Sequence, residues 1–87
     1  MQHTSHPAIS KRLKRAQGHL AKVIEMIGAE RPCLDIAQQL QAVESAISKA
    51  KATLIHDHVE HCLAHAAEDP EARSAQLAEF REITRYL

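Results

Sequence analysis

An all-α fold is predicted by three features of this 87-residue sequence. Glycine and proline are scarce, at two and three residues, which suits helices and argues against a sandwich, a barrel or a disordered chain. Apolar residues recur at spacings of three and four along two long stretches, the period of an amphipathic helix. With one Tyr, one Phe and no Trp, the core must be assembled from Leu, Ile, Val and Ala. The length fits one small domain, 1–87, near the size at which a single core is marginal.

A flexible arm is expected over residues 1–7. The first helix, 8–28, is read from Ile9, Leu13, Ala16, Leu20, Val23, Ile24 and Ile27. At about 100° per residue, Lys11, Lys14, Arg15, Gly18 and Lys22 fall on its opposite side. Gly28 is placed just past the helix end, with Pro32 closing the connection. Neither Gly nor Pro occurs between Cys33 and Glu68, while Ile36, Leu40, Val43, Ile47, Ala50 and Leu54 keep the helical period. Nothing breaks this element, so one helix over 33–68, about 50 Å long, is expected. Asp69-Pro70-Glu71 reads as a cap, a first helical position and an acidic first turn. A third helix, 70–87, would turn Leu77, Phe80, Ile83, Thr84 and Leu87 inward. Two shorter helices cannot cover the long one, so a homo-oligomeric bundle is expected.

Two cysteines are too few for a disulfide scaffold, and no apolar run approaches the ~20 residues of a membrane span. No signal peptide opens the chain. A cytoplasmic protein away from membranes is expected. A formal net charge of zero argues at first against nucleic acid, but the charge is segregated. Residues 1–24 hold Lys11, Arg12, Lys14, Arg15 and Lys22 and no acidic residue; residues 25–44 carry a net −3 and residues 45–87 a net −2. A basic first helix is thus hidden inside a balanced total.

Segment 56–65 reads His-Asp-His-Val-Glu-His-Cys-Leu-Ala-His. His58 and Cys62, four apart, share a helical face, so an imidazole and a thiolate can take one metal ion. Cys33 begins the same helix, about 43 Å away from Cys62, and cannot join them within one chain. Two long helices packed antiparallel, crossing near residues 46–47, would bring Cys33 of one copy beside His58 and Cys62 of the other. A Cys2His set suits Cu(I) as a three-coordinate site, or Ni(II) and Zn(II) with a fourth donor. His3 and His6 on the arm are candidates for that donor. No general base, nucleophile dyad or glycine-rich loop accompanies the site, so a binding protein rather than an enzyme is expected.

Several stretches together resemble a known family: Arg12-Leu-Lys-Arg15, Gln17-Gly18-His19-Leu20, Cys33-Leu-Asp-Ile36, Gln39-Leu-Gln-Ala-Val43 and His56-Asp-His-Val-Glu-His-Cys62. Over essentially its whole length the chain is similar to the copper-sensing and nickel/cobalt-sensing repressors of the CsoR/RcnR type. The His3-Thr-Ser-His6-Pro7 run is closer to the nickel-resistance branch, whereas the Cys…His-x3-Cys spacing matches the copper sensors. The resemblance implies a dimer of dimers of three-helix protomers whose metal-free form represses an efflux or detoxification operon and releases operator DNA on metal binding. It carries the ligand role onto Cys33, His58 and Cys62, and the DNA face onto Arg12, Lys14, Arg15 and Lys49. It carries the role of a glutamate coupled to the ligand His onto Glu79, with a one-residue insertion. Two departures stand out: Pro32 replaces the Tyr that copper sensors often place before the first Cys, and His3 lies two residues closer to Cys33 than in the nickel/cobalt sensors. Formaldehyde-sensing relatives lack the second cysteine and persulfide-sensing relatives lack the histidine; this chain has both.

Three functions compete on these residues. A metal-responsive repressor would use the basic stripe, Lys11 and Lys22 included, on phosphates with few base contacts, since no helix-turn-helix is visible. A metal-buffering or metallochaperone bundle would use the same ligands and leave the stripe idle. A thiol-based redox or electrophile sensor would use Cys33 and Cys62 of neighbouring chains and leave His58 without a purpose.

Overall fold

The structure, a computed structural model, describes residues 5–68 and 70–87, with side chains described except those of residues 65–68. His3 and Asp69, the latter read as a helix cap, lie outside the described residues. Three helices follow one another: α1 (His6–Gly28), α2 (Cys33–Glu68) and α3 (Arg73–Thr84). Among the described residues there is no strand. Helices α1 and α3 each pack on α2 and, among the described residues, make no contact with each other.

Helix α1 starts two residues before the expected position, so His6 and Pro7 belong to its first turn rather than to an arm. Proline is tolerated there because its missing N–H would have had no intrahelical partner. The helix ends in a Schellman motif: the N–H of Arg31 donates to the carbonyl of Met26 at 3.0 Å and that of Glu30 to Ile27 at 3.1 Å. The left-handed position of this motif falls on Glu30, with φ 56°, and Gly28 remains inside the helix. Gly28 is therefore not the capping residue that the sequence suggested.

Helix α2 runs unbroken for 36 residues, as its lack of Gly and Pro requires. Helix α3 is shorter than expected. Pro70, Glu71 and Ala72 form a turn, and the N–H of Arg73 reaches the Pro70 carbonyl at 3.4 Å. At its far end Arg85, Tyr86 and Leu87 donate to carbonyls three residues back, so the last turn tightens instead of extending the helix. Its inward side is Ala72, Gln76, Phe80, Ile83 and Thr84. Leu77 and Leu87, expected to point inward, are 51% and 79% exposed.

The core is a thin seam: Ile9, Ala16 and Val23 on α1, and Val43, Ala50, Ile55 and Cys62 on α2. The apolar face read from the sequence splits in two. Leu13, Leu20 and Ile27 on α1, and Leu40, Ile47 and Leu54 on α2, each spaced by seven, stay exposed. The molecule measures 58 × 23 × 13 Å with a radius of gyration of 17.8 Å, against about 12 Å for a compact chain of this length.

Candidate metal centre and basic groove

The C-terminal third of α2 holds the His-rich segment, and α3 lies antiparallel against it. His58 and Cys62 sit one helical turn apart on the side that α3 covers. The sulfur of Cys62 lies 3.2 Å from Nε2 of His58, and Oε1 of Glu79 lies 3.3 Å from the same nitrogen. These three donor atoms are within 4.8 Å of one another. Cys62 is buried at 4% exposure, and the side chain of Glu79 stands at the solvent edge, 61% exposed.

Burial pushes the Cys62 thiol above its ordinary range, and the nearby Glu79 carboxylate raises it further. Both causes act against the thiolate: burial removes water from the charge and Glu79 repels it. A cation among the three atoms would reverse that balance, since a metal-bound thiol is deprotonated. The residues fit a transition-metal ion: a soft sulfur, an imidazole nitrogen and a carboxylate oxygen converge at ligand spacing. A buried, protonated thiol is a poor nucleophile, which disfavours a redox-sensing use of Cys62.

Cys33 is exposed at the opposite end of α2 and does not join His58 and Cys62 within the protomer. Arg31 pairs with Asp35 beside it at 3.6 Å across exposed side chains. His6 heads α1 rather than an arm, and it is exposed. His56 is paired at 3.7 Å with Glu60 on the outer side of α2, away from the Cys62 cluster.

The basic residues divide into two sets. Arg12 and Arg15 of α1 and Lys49 of α2 line one open groove of about 540 Å³, floored by Ala16, Ala42 and Ala46. Lys22 extends it along α1, past Gly18, to Gln39. Lys11 and Lys14 are exposed and do not line it. Between the two ends, Nε2 of His19 meets Oε1 of Gln39 at 2.6 Å, tying α1 to α2. Sequence reasoning did not single out this tie. The signal for it was small residues at Ala16, Ala42 and Ala46, which line the groove between the helices.

The profile described as metal-sensitive transcriptional repressor matches residues 5–86. The chain is similar to the copper-sensing transcriptional repressor CsoR of Mycobacterium ulcerans (strain Agy99), 37% identical over 68 residues, which are 78% of this chain and 58% of that protein. It thus spans somewhat over half the length of that relative. To the copper-sensing transcriptional repressor CsoR of Bacillus subtilis (strain 168) it is 34% identical over 80 residues, 88% of this chain and 79% of that one. Among solved structures, the nickel-responsive transcriptional regulator InrS superposes with a TM-score of 0.85 at 30% identity, covering 100% of this chain and 98% of that one.

Proposed function

The chain belongs to the family of metal-sensitive transcriptional repressors, and from that premise we propose that it represses transcription by binding operator DNA in its metal-free form and leaves the DNA on binding Cu(I) or Ni(II). The observation that carries this reading is the placement of two functional surfaces on α2. Its C-terminal third carries His58 and Cys62, and its middle supplies Lys49 to the groove with Arg12 and Arg15.

His58 and Cys62 hold the ion from one protomer and Cys33 of a second copy completes the set, with a nitrogen of His3 or His6 as the fourth donor for a four-coordinate ion. The ion supplies a multi-donor link between two copies. Binding requires Cys62 to lose its proton and draws the two ends of antiparallel α2 helices together. Arg12, Arg15 and Lys49, fixed to α2 through the α1–α2 seam, then move relative to those of the other copy. A set of cations spaced for phosphates on one duplex loses that spacing, and affinity falls.

Charge reversal tests the DNA side alone. Arg15→Glu is expected to abolish the shift of the protein's promoter fragment in a gel while leaving metal binding intact. Unchanged retardation would favour a metal-buffering bundle that never uses its basic groove.

A further inference from the structure

We propose that His19 is a further DNA contact in the basic groove: Gln39 fixes its ring, and its Nδ1, when protonated, takes a backbone phosphate oxygen of the duplex. This deepens the function proposed above and rests on its reading of the groove as the DNA-binding surface.

The cationic stripe along α1 has one gap, and His19 fills it. Arg12, Arg15, His19 and Lys22 follow one another at steps of three, four and three on one helical face. Arg15 and His19 line both stretches of the groove, the one bordered by Arg12 and Lys49 and the one bordered by Lys22 and Gln39. Among the described residues no carboxylate lines either stretch. From Arg12 to Lys22 the stripe covers about 15 Å of helix, longer than a single phosphate ion. Phosphates along one strand follow at about 3.4 Å of helix axis, so a duplex is the polyanion that fits this length.

The tie to α2 decides which ring nitrogen meets the phosphate. Nε2 of His19 lies 2.6 Å from Oε1 of Gln39. A side-chain carbonyl oxygen only accepts, so Nε2 donates and keeps its hydrogen whether the ring is neutral or charged. The proton that comes and goes is on Nδ1, which has no partner among the described residues. The charged groups around the ring are Arg12, Arg15 and Lys22 on its own helix and Lys49 on α2. Glu25 borders Lys22 and Gln39 beyond the groove, and α3 makes no contact with α1 among the described residues. A neutral ring offers Nδ1 only as an acceptor, which a phosphate oxygen cannot use; a protonated ring donates to that oxygen as a cation. Phosphate contact and the Nδ1 proton stabilise each other, so DNA binding takes up a proton at His19.

His19→Gln in the full, metal-free chain separates contact from tie, because a glutamine amide still donates to Gln39 but cannot acquire a charge. The tie is exposed to solvent, so the exchange leaves the fold in place, and thermal unfolding checks it. Affinity for the promoter fragment is measured against salt at about pH 6 and about pH 8, the range over which imidazole changes charge. The wild type should bind several-fold more tightly at the lower pH, and the variant should lose that gain. At the lower pH the substitution should reduce the slope of log affinity against log salt by about 0.9 for each protomer on the duplex; at the higher pH the slope should stay the same. A side chain that only ties α1 to α2 would move neither readout. A variant that keeps the wild-type pH dependence and both salt slopes would overturn the proposal and leave the groove's part in DNA binding standing. A wild-type protein that fails to retard the fragment at both pH values would overturn this proposal together with the DNA-binding function.

Discussion

Cys62 joins burial, charge and chemistry in one side chain. Its thiol is held above the ordinary range first by burial and then by Glu79, so metal binding at neutral pH must expel a proton. Apparent metal affinity should rise with pH, by about tenfold per unit for each proton released. Calorimetry in buffers of different ionisation enthalpy counts that proton, and a pH-independent affinity would contradict the assignment. The sign for folding is the opposite. A folded-state thiol raised above its unfolded value stabilises the metal-free fold below the unfolded value, and that stability is lost as pH climbs from about 8.5 upward. Glu30 makes a second residue-scale prediction. It holds the left-handed position at φ 56°, where glycine has no Cβ penalty, so Glu30→Gly should stabilise the fold by about 0.5–1 kcal/mol in thermal unfolding.

Among the elements, α2 was the most legible, because 36 residues without Gly or Pro and with continuous helical period leave no other reading. The pairing of His58 with Cys62 was equally legible, since a spacing of four on a helix fixes it. The meeting of His58 with Glu79 was not, and only family resemblance pointed to it. These residues are 21 apart across a turn, and their register is set by how α3 packs on α2 rather than by any local pattern. The same holds for His19 and Gln39, brought to 2.6 Å by helix packing alone. The α3 start was misplaced because Pro70 fits a turn as well as a first helical position. The groove between α1 and α2 carries its own prediction. Arg15→Ala with Lys49→Ala should reduce the slope of log affinity against log salt by about 2 for each protomer in contact with the DNA duplex. Lys11→Ala with Lys14→Ala, outside the groove, should change it less. Equal changes for the two pairs would show that the groove has no special part.

The whole protomer is thin. Its accessible surface is 6713 Å², against about 5100 Å² for a compact monomer of this mass. Two apolar ladders lie exposed on it: Leu13, Leu20 and Ile27 on α1, and Leu40, Ile47 and Leu54 on α2. A second copy laid antiparallel along α2 would cover the latter ladder and carry Cys33 toward His58 and Cys62. Ile47→Glu, at the centre of that ladder, should reduce the sedimenting mass to that of the protomer and weaken metal binding together with it. A monomeric variant with full metal affinity would mean that the site needs no second copy.

Release of DNA by metal couples two ligands through one molecule, and such coupling is reciprocal. Metal affinity should be measured for the full chain alone and again when saturated with its promoter fragment. DNA should weaken metal binding by the same factor by which metal weakens DNA binding, and Cys62→Ala should abolish both effects while still binding DNA. Metal affinity identical with and without DNA would contradict it.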